Sequence, residues 1–136
     1  MAGEYIFVYG TLRKNSNGPN SHLLSDYCQY IADGYILGSL YDLGDYPGVL
    51  VGKDPKYRVY GECFKLENSG VVLGELDEWE ECSASFPDPK LYLRRSCRVT
   101  LDGKQEVKAW VYIYNRDVSR HIHIRSGDYL EYLMSK

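Results

Sequence analysis

Residues 71–81 carry an acidic run, Glu75, Asp77, Glu78, Glu80 and Glu81, interleaved with Val71, Val72, Leu73, Leu76 and Trp79. Most acidic runs on helices are solvated faces, and a carboxylate becomes a useful acid or base only where its surroundings raise its pKa. Spacing separates one member from the rest. At about 100° per residue, with Val72 at about 0°, Leu76 falls at about 40°, Leu73 at about 100° and Trp79 at about 340°. Glu80 falls at about 80°, between Leu76 and Leu73, whereas the other acids lie outside this stripe. A helix that reaches residue 80 therefore turns Glu80 inward, near its C-terminal end. Desolvation raises the pKa of such a carboxyl, and the negative end of the helix dipole adds a smaller push in the same direction. The group then suits general acid–base catalysis. The same placement also suits a buried Glu paired with Arg94 or Arg98, and a frayed last turn would expose it.

A second candidate follows the first apolar run. In Tyr9-Gly10-Thr11-Leu12, a glycine lets the chain turn with φ > 0 and lets a ligand approach the backbone. The freed N–H groups of Gly10, Thr11 and Leu12 could form a concave anion site suited to a carboxylate. A glycine after a strand also simply makes a turn. His121 and His123 would share a face on a strand, but Asp117 and Asp128, the nearest acids, have no metal-motif spacing to them. This pair is expected at the surface, with no metal. Arg94, Arg95, Arg98, Arg116, Arg120 and Arg125 are scattered, as solvated or salt-bridged residues are.

The elements that must position these groups can be read coarsely. Residues 5–9 read as a buried first strand, stopped by Gly10. Residues 15–20 are a turn-rich loop, with a short helix expected over 21–27. Residues 30–41 read as strand broken by Gly34 and Gly38, and 42–48 as a loop with a Pro47-Gly48 turn. Residues 57–66 alternate as a strand does. Asn68-Ser69 offers a cap for a helix running to about residue 80. Residues 83–90 form a proline-bearing loop. Strands follow over 91–101 and 106–114, joined by the Asp102-Gly103 hairpin turn. Ser126 is placed to cap a last short helix over 127–133. About six strands with short helices predicts an α+β domain on a small barrel or strongly bent sheet.

Composition bounds the rest. The 136 residues fit a single domain over 1–136, with ordinary apolar and charged fractions. A net charge of -3 argues against nucleic acid as a partner. No apolar run is long enough for a membrane span, and the N-terminal residues do not resemble a signal peptide. Cys28, Cys63, Cys82 and Cys97 are widely spaced with no C-x-x-C pair, which argues against a zinc site; without a secretion signal they are expected to be reduced thiols, and a cytoplasmic location is expected. The compositional outlier is tyrosine, with 14 copies. Its ring packs while its hydroxyl needs a partner, which suits barrel rims and also a cleft lined with phenols.

In combination these pieces are more specific. Tyr9-Gly10-Thr11-Leu12 follows the first strand, and Leu40-Tyr41-Asp42-Leu43-Gly44-Asp45-Tyr46-Pro47-Gly48 lies mid-chain. Leu76-Asp77-Glu78-Trp79-Glu80 ends a helix, Tyr92-Leu93-Arg94 opens a strand, and Ser126-Gly127-Asp128-Tyr129 lies near the end. Together they resemble the γ-glutamylcyclotransferase-like family, which includes the γ-glutamylamine cyclotransferases and the avirulence-induced-gene-like proteins of plants, from about residue 5 to 114. The resemblance implies a small mixed β-barrel flanked by short helices. It implies a reaction in which the free α-amine of a γ-glutamyl amide attacks the γ-carbonyl, forming 5-oxoproline and expelling an amine. It matches the catalytic glutamate to Glu80 and the glycine-bearing loop to Tyr9, Gly10, Thr11 and Leu12. It places Tyr41, Tyr92 and Tyr114 among the substrate-binding residues. The expected partner is a small γ-glutamyl compound, with no cofactor; the oligomeric state is left open. Two departures bear on the leaving amine: Glu81 stands where many relatives have glycine, and the stretch 81–91, with Phe86-Pro87-Asp88-Pro89, is longer than in compact members. Two other readings compete: a binding module without turnover on the same fold, and an interaction protein using a tyrosine-rich surface.

Overall fold

In the computed structural model of the chain the described residues are 4–10, 28–44, 47–51, 56–66, 92–102 and 105–135. They form strands β1 (Glu4–Val8), β2 (Cys28–Asp42), β3 (Pro47–Val51), β4 (Arg58–Leu66), β5 (Tyr92–Leu101), β6 (Glu106–Tyr114) and β7 (Ile122–Ile124), and helix α1 (Tyr129–Ser135). β2 pairs with β4, β4 with β1, β1 with β6, β6 with β5, and β5 back with β2. This closes a five-stranded barrel. It is mixed, because β1 and β6 run parallel while the other barrel pairs are antiparallel. β3 and β7 lie outside the barrel and pair with the far end of β2, through Gly38–Asp42 and Leu40–Asp42 respectively. The helices expected over 21–27 and up to residue 80 lie outside the described residues, as do Thr11, Leu12 and Glu80.

Successive side chains of a strand point to opposite faces, and here both faces are buried. From β1, Phe7 and the following Tyr9 enter the barrel core with Ile36, Leu40, Val59, Val99 and Val111. Ile6 and Val8 face a second cluster with Phe64, Leu66, Tyr92, Tyr112 and Tyr114. A strand buried on both faces reads as an uninterrupted apolar run rather than an alternation, which is why residues 5–9 are legible in the sequence. At the lower edge of the second cluster the Trp110 indole N–H donates to Glu4 at 2.9 Å.

The strands and the last helix depart from the sequence reading in four places. β2 is continuous for 15 residues, so Gly34 and Gly38 do not break it. Gly34 lies where β2 meets β5 and closes the barrel. A Cβ there would stand 2.6 Å from the Thr100 carbonyl oxygen, so the missing side chain admits a neighbouring backbone. Pro47-Gly48 is not a turn but the start of β3, an outer strand in which a proline is tolerated. The histidine segment holds a further short strand, β7. Finally, Asp128 caps the last helix: its Oδ1 accepts the Glu131 N–H at 3.1 Å, the reach of an N-cap to N3, and Ser126 only bonds the Asp128 N–H.

Candidate active site

At one end of the barrel, β1 and β6 finish while β5 and β3 begin. Tyr9, one residue past β1, is buried, and its hydroxyl donates to the Tyr112 carbonyl oxygen at 2.6 Å. That bond extends the parallel β1–β6 pairing, in which Ile6 partners Trp110, beyond the last strand residue. Gly10 follows. It is not among the described glycines with positive φ, which are Gly44 and Gly127. The expected left-handed turn at Gly10 is therefore corrected: the residue is small for a steric reason. A Cβ on it would lie 2.7 Å from Pro47 Cγ, so Gly10 lies flat against the first residue of β3.

β3 in turn touches the tyrosines of the neighbouring hairpin. Tyr92 and Tyr114 are Cα partners across β5 and β6, and their rings meet edge to face at 5.6 Å, within the range that favours aromatic pairs. The Tyr92 hydroxyl donates to the Pro47 carbonyl oxygen at 2.7 Å. A Cβ on Gly48 would come within 2.9 Å of Tyr114 Cβ, so the Tyr114 side chain rests directly on that glycine. Tyr9, Gly10, Tyr92 and Tyr114 are thus brought together around Pro47 and Gly48.

Tyr41 is placed differently. It is the Cα partner of Gly48 on one side and of His123 on the other. Its ring stacks on His123 at 5.2 Å, and Tyr57 meets the same imidazole edge-on at 4.7 Å. His123 is therefore not the surface residue expected from its alternation with His121. Its Nε2 is buried without a hydrogen-bond partner among the described residues. Desolvation, followed by the nearby Arg125 charge, holds the His123 pKa below the usual histidine range. His121 meets Tyr114 edge-on at 6.2 Å, so this aromatic row runs from β7 towards the Tyr92–Tyr114 pair. No group of three His, Cys, Asp or Glu among the described residues is arranged to hold a metal ion.

The Asp42–Gly44 corner is fixed from two sides. Asp42 Oδ1 accepts the Gly44 N–H at 2.8 Å, and Oδ2 accepts the Tyr132 hydroxyl at 2.7 Å. This pins α1 to the end of β2, where the chain turns towards β3. Tyr132 is held protonated above its ordinary range by the Asp42 hydrogen bond, then by desolvation and the Asp42 charge. Two thiols are poor nucleophiles near neutrality: burial in the barrel core pushes Cys63 up to about 11, and burial raises Cys97 as well. Of the arginines weighed as partners for a buried Glu, Arg98 pairs with Glu106 at 3.7 Å on the exposed surface. Arg94 lies over the Trp110 ring at 4.7 Å.

The sequence reading missed Pro47, whose carbonyl anchors Tyr92, and Asp42, which both the Gly44 amide and α1 use. An Asp two residues before a Gly is a visible local signal for the Asx turn. The Pro47–Tyr92 bond spans 45 residues and has no local signal.

Residues 6–131 match the family model described as gamma-glutamyl cyclotransferase, AIG2-like, and the chain belongs to that family. It is 33% identical over 128 residues to the gamma-L-glutamyl-butirosin B gamma-glutamyl cyclotransferase of Niallia circulans, covering 93% of this chain and 76% of that one. It is 35% identical over 130 residues to the gamma-glutamylcyclotransferase family protein YtfP of Escherichia coli K12, covering 93% and 96%. Among solved structures, YkqA from Bacillus subtilis superposes with a TM-score of 0.74 at 27% identity, covering 98% of this chain but 42% of that one. No helix among the described residues is long and apolar enough to cross a membrane.

Proposed function

We propose that the chain is a γ-glutamyl cyclotransferase-type enzyme acting on a small γ-glutamyl amine, peptide or peptide-linked γ-glutamyl group. The reading is carried by one observation: in a chain matching the family over residues 6–131, Gly10 is packed against Pro47 beside Tyr92 and Tyr114. In this reading Tyr9 to Leu12 hold the glutamyl moiety through backbone groups, while Tyr41, Tyr92 and Tyr114 line the site. Glu80 takes a proton from the α-ammonium, because an ammonium cannot attack. The freed amine adds to the γ-carbonyl, the ring nitrogen of the adduct gives up a second proton, the C–N bond to the leaving amine breaks, and the leaving nitrogen receives both protons, one of them from Glu80. The products are 5-oxoproline and a free amine or amino acid. The nucleophile is already tethered, so positioning supplies much of the rate; effective molarities for such closures reach about 10⁵–10⁸ M. Acid–base assistance adds about 10²–10⁴-fold. No metal or organic cofactor enters these steps. The free thiols of Cys63 and Cys97 suit a reducing compartment, and we assign the protein to the cytoplasm.

The test is incubation with a panel of γ-glutamyl amino acids, amines and peptides, assayed for 5-oxoproline. At least one member is expected to turn over. Tight binding of γ-glutamyl ligands with no turnover of any member would instead make this a binding module on the same fold.

A further inference from the structure

Tyr132 projects from α1 to the end of β2, and the steps above give it no part. Its hydroxyl donates to Asp42 Oδ2 at 2.7 Å, while Asp42 Oδ1 accepts the Gly44 N–H at 2.8 Å. Asp42 is the last residue of β2, and its Cα partner is Pro47, the first residue of β3. One carboxylate therefore ties together the helix, the corner that leaves β2 and the strand end that begins with Pro47.

The two ends of this contact differ in how firmly they are otherwise held. The helix has anchors of its own. Tyr129 is buried in the core, Asp128 caps the first turn, and the preceding Gly127 carbonyl accepts the Tyr60 N–H from β4 at 2.8 Å. The corner has less. Gly44 has a φ of 115°, and among the described residues nothing lies within 4 Å of the position a Cβ would take on it. Hydrogen bonding rather than packing fixes that residue. Leu43 reaches from the corner back to β3: its Cδ1 would stand 2.7 Å from a Cβ on Gly48, the glycine under Tyr114. A shift of the corner is thus passed to Pro47 through the strand pairing and to Gly48 through Leu43. A phenol donating to a carboxylate makes a charge-assisted hydrogen bond, stronger than a neutral one. We infer that Tyr132 is a positioning residue for the substrate site: through Asp42 it holds the β2–β3 corner, and with it the Pro47–Gly48 bed on which Gly10, Tyr92 and Tyr114 rest. This role rests on the cyclotransferase reading for its purpose, though not for its geometry.

The experiment uses Tyr132→Phe and Asp42→Asn in the full chain. Tyr132→Phe keeps the ring that stacks on Tyr129 at 6.5 Å and loses only the hydroxyl. Amide hydrogen exchange at Gly44 is measured first, because it reports the corner whether or not the protein turns over. It should quicken by about threefold to tenfold in Tyr132→Phe, the scale of one hydrogen bond, although the Gly44 N–H keeps its own acceptor. Exchange at Tyr60, whose N–H reports the docking of the helix segment on β4, should stay within about twofold of wild type. With a substrate from the panel, KM should rise by about threefold to tenfold while kcat stays within about twofold, because fewer molecules present the competent site. Asp42→Asn should move Gly44 exchange and KM in the same direction. Adding Tyr132→Phe to it should change KM by less than Tyr132→Phe does alone, since both act through one bond. Wild-type exchange at Gly44, or a wild-type KM, in a folded Tyr132→Phe protein would overturn the inference. So would an equal quickening at Tyr60, which would make Tyr132 a docking residue of the helix alone, and so would additive changes in KM. Should Tyr132→Phe fail to fold, Asp42→Asn decides by the same exchange and KM measurements; failure of both to fold also overturns the inference. If the wild type releases no 5-oxoproline from any compound, the cyclotransferase reading falls, while exchange at Gly44 still decides whether Tyr132 holds the corner.

Discussion

A γ-glutamyl closure asks little of any single side chain beyond one well-placed proton carrier, so the acidic run around residue 80 is where one substitution should matter most. Glu80→Gln keeps volume and polarity but cannot exchange a proton near neutrality. Its kcat should fall by about 10²-fold or more, the usual scale for a general acid–base group. Glu81→Gln makes the same charge change one residue on, and steady-state rates should show it within about twofold of wild type. The reverse ranking of the two rates would refute both the helical register and the alignment to the family. Tyr92→Phe probes the described part of the site. It removes the hydroxyl that donates to the Pro47 carbonyl at 2.7 Å, and a hydrogen bond of this kind contributes about 0.5–1.5 kcal/mol. The variant should fold with a modestly lower thermal midpoint. Its KM should rise, because Pro47 is the surface against which Gly10 rests. An unchanged KM would detach Tyr92 from substrate binding.

Two elements make predictions of their own. Where β2 crosses β5, Gly34 has no room for a side chain, and the obstacle is backbone that cannot swing aside. Gly34→Val should cost at least about 1–3 kcal/mol, the scale of overpacking, measured by chemical denaturation. A stable Gly34→Val protein would show that the barrel does not close there. The β7 strand carries a pH dependence through His123. Its pKa is lowered in the folded state, by desolvation first and by Arg125 second. The unfolded chain therefore binds more protons than the folded one as pH falls through the ordinary histidine value of 6.5. Stability is full above that value and declines below it, until pH passes the lowered folded pKa. His123→Phe keeps an aromatic ring against Tyr41 and cannot titrate. Its thermal midpoint should drop less than that of wild type between about pH 8 and about pH 5. Equal drops in the two proteins would remove His123 from the effect.

For the whole molecule, the expected chemistry needs only the polypeptide. Release of 5-oxoproline from a γ-glutamyl substrate should proceed without added metal and be undiminished by a chelator, followed by chromatography of the product. Loss of turnover on chelation would require a different account of catalysis. At this scale the barrel gathers the candidate site. A closed sheet has no exposed edge to manage among its own five strands, and its strand ends converge on one rim. Residues from β1, β3, β5 and β6 meet at that rim, while β2 carries its own end outward to β3 and β7.

The strands with local signals were legible from the sequence. The apolar run of β1, the alternation of β4 and the antiparallel pairing of β5 with β6 each depend on neighbours a few residues away. The family motif around Gly10 was legible too, because it is contiguous. What the sequence could not carry were distances between remote segments. Gly34 and Gly38 read as strand breaks, since a glycine weakens a strand locally, and only the approach of Thr100 and Leu50 shows them as crossings. Gly10 read as a turn with φ > 0, and the contact with Pro47 shows a steric need instead. His123 read as a surface residue because nothing local reveals that Tyr41 and Tyr57 enclose it. Asp42 and Tyr132 stand 90 residues apart in the sequence, and their bond exists only once α1 reaches the end of β2. Local periodicity and turn chemistry are written in consecutive residues. Which backbones approach closely enough to exclude a Cβ is decided by the closure of the barrel.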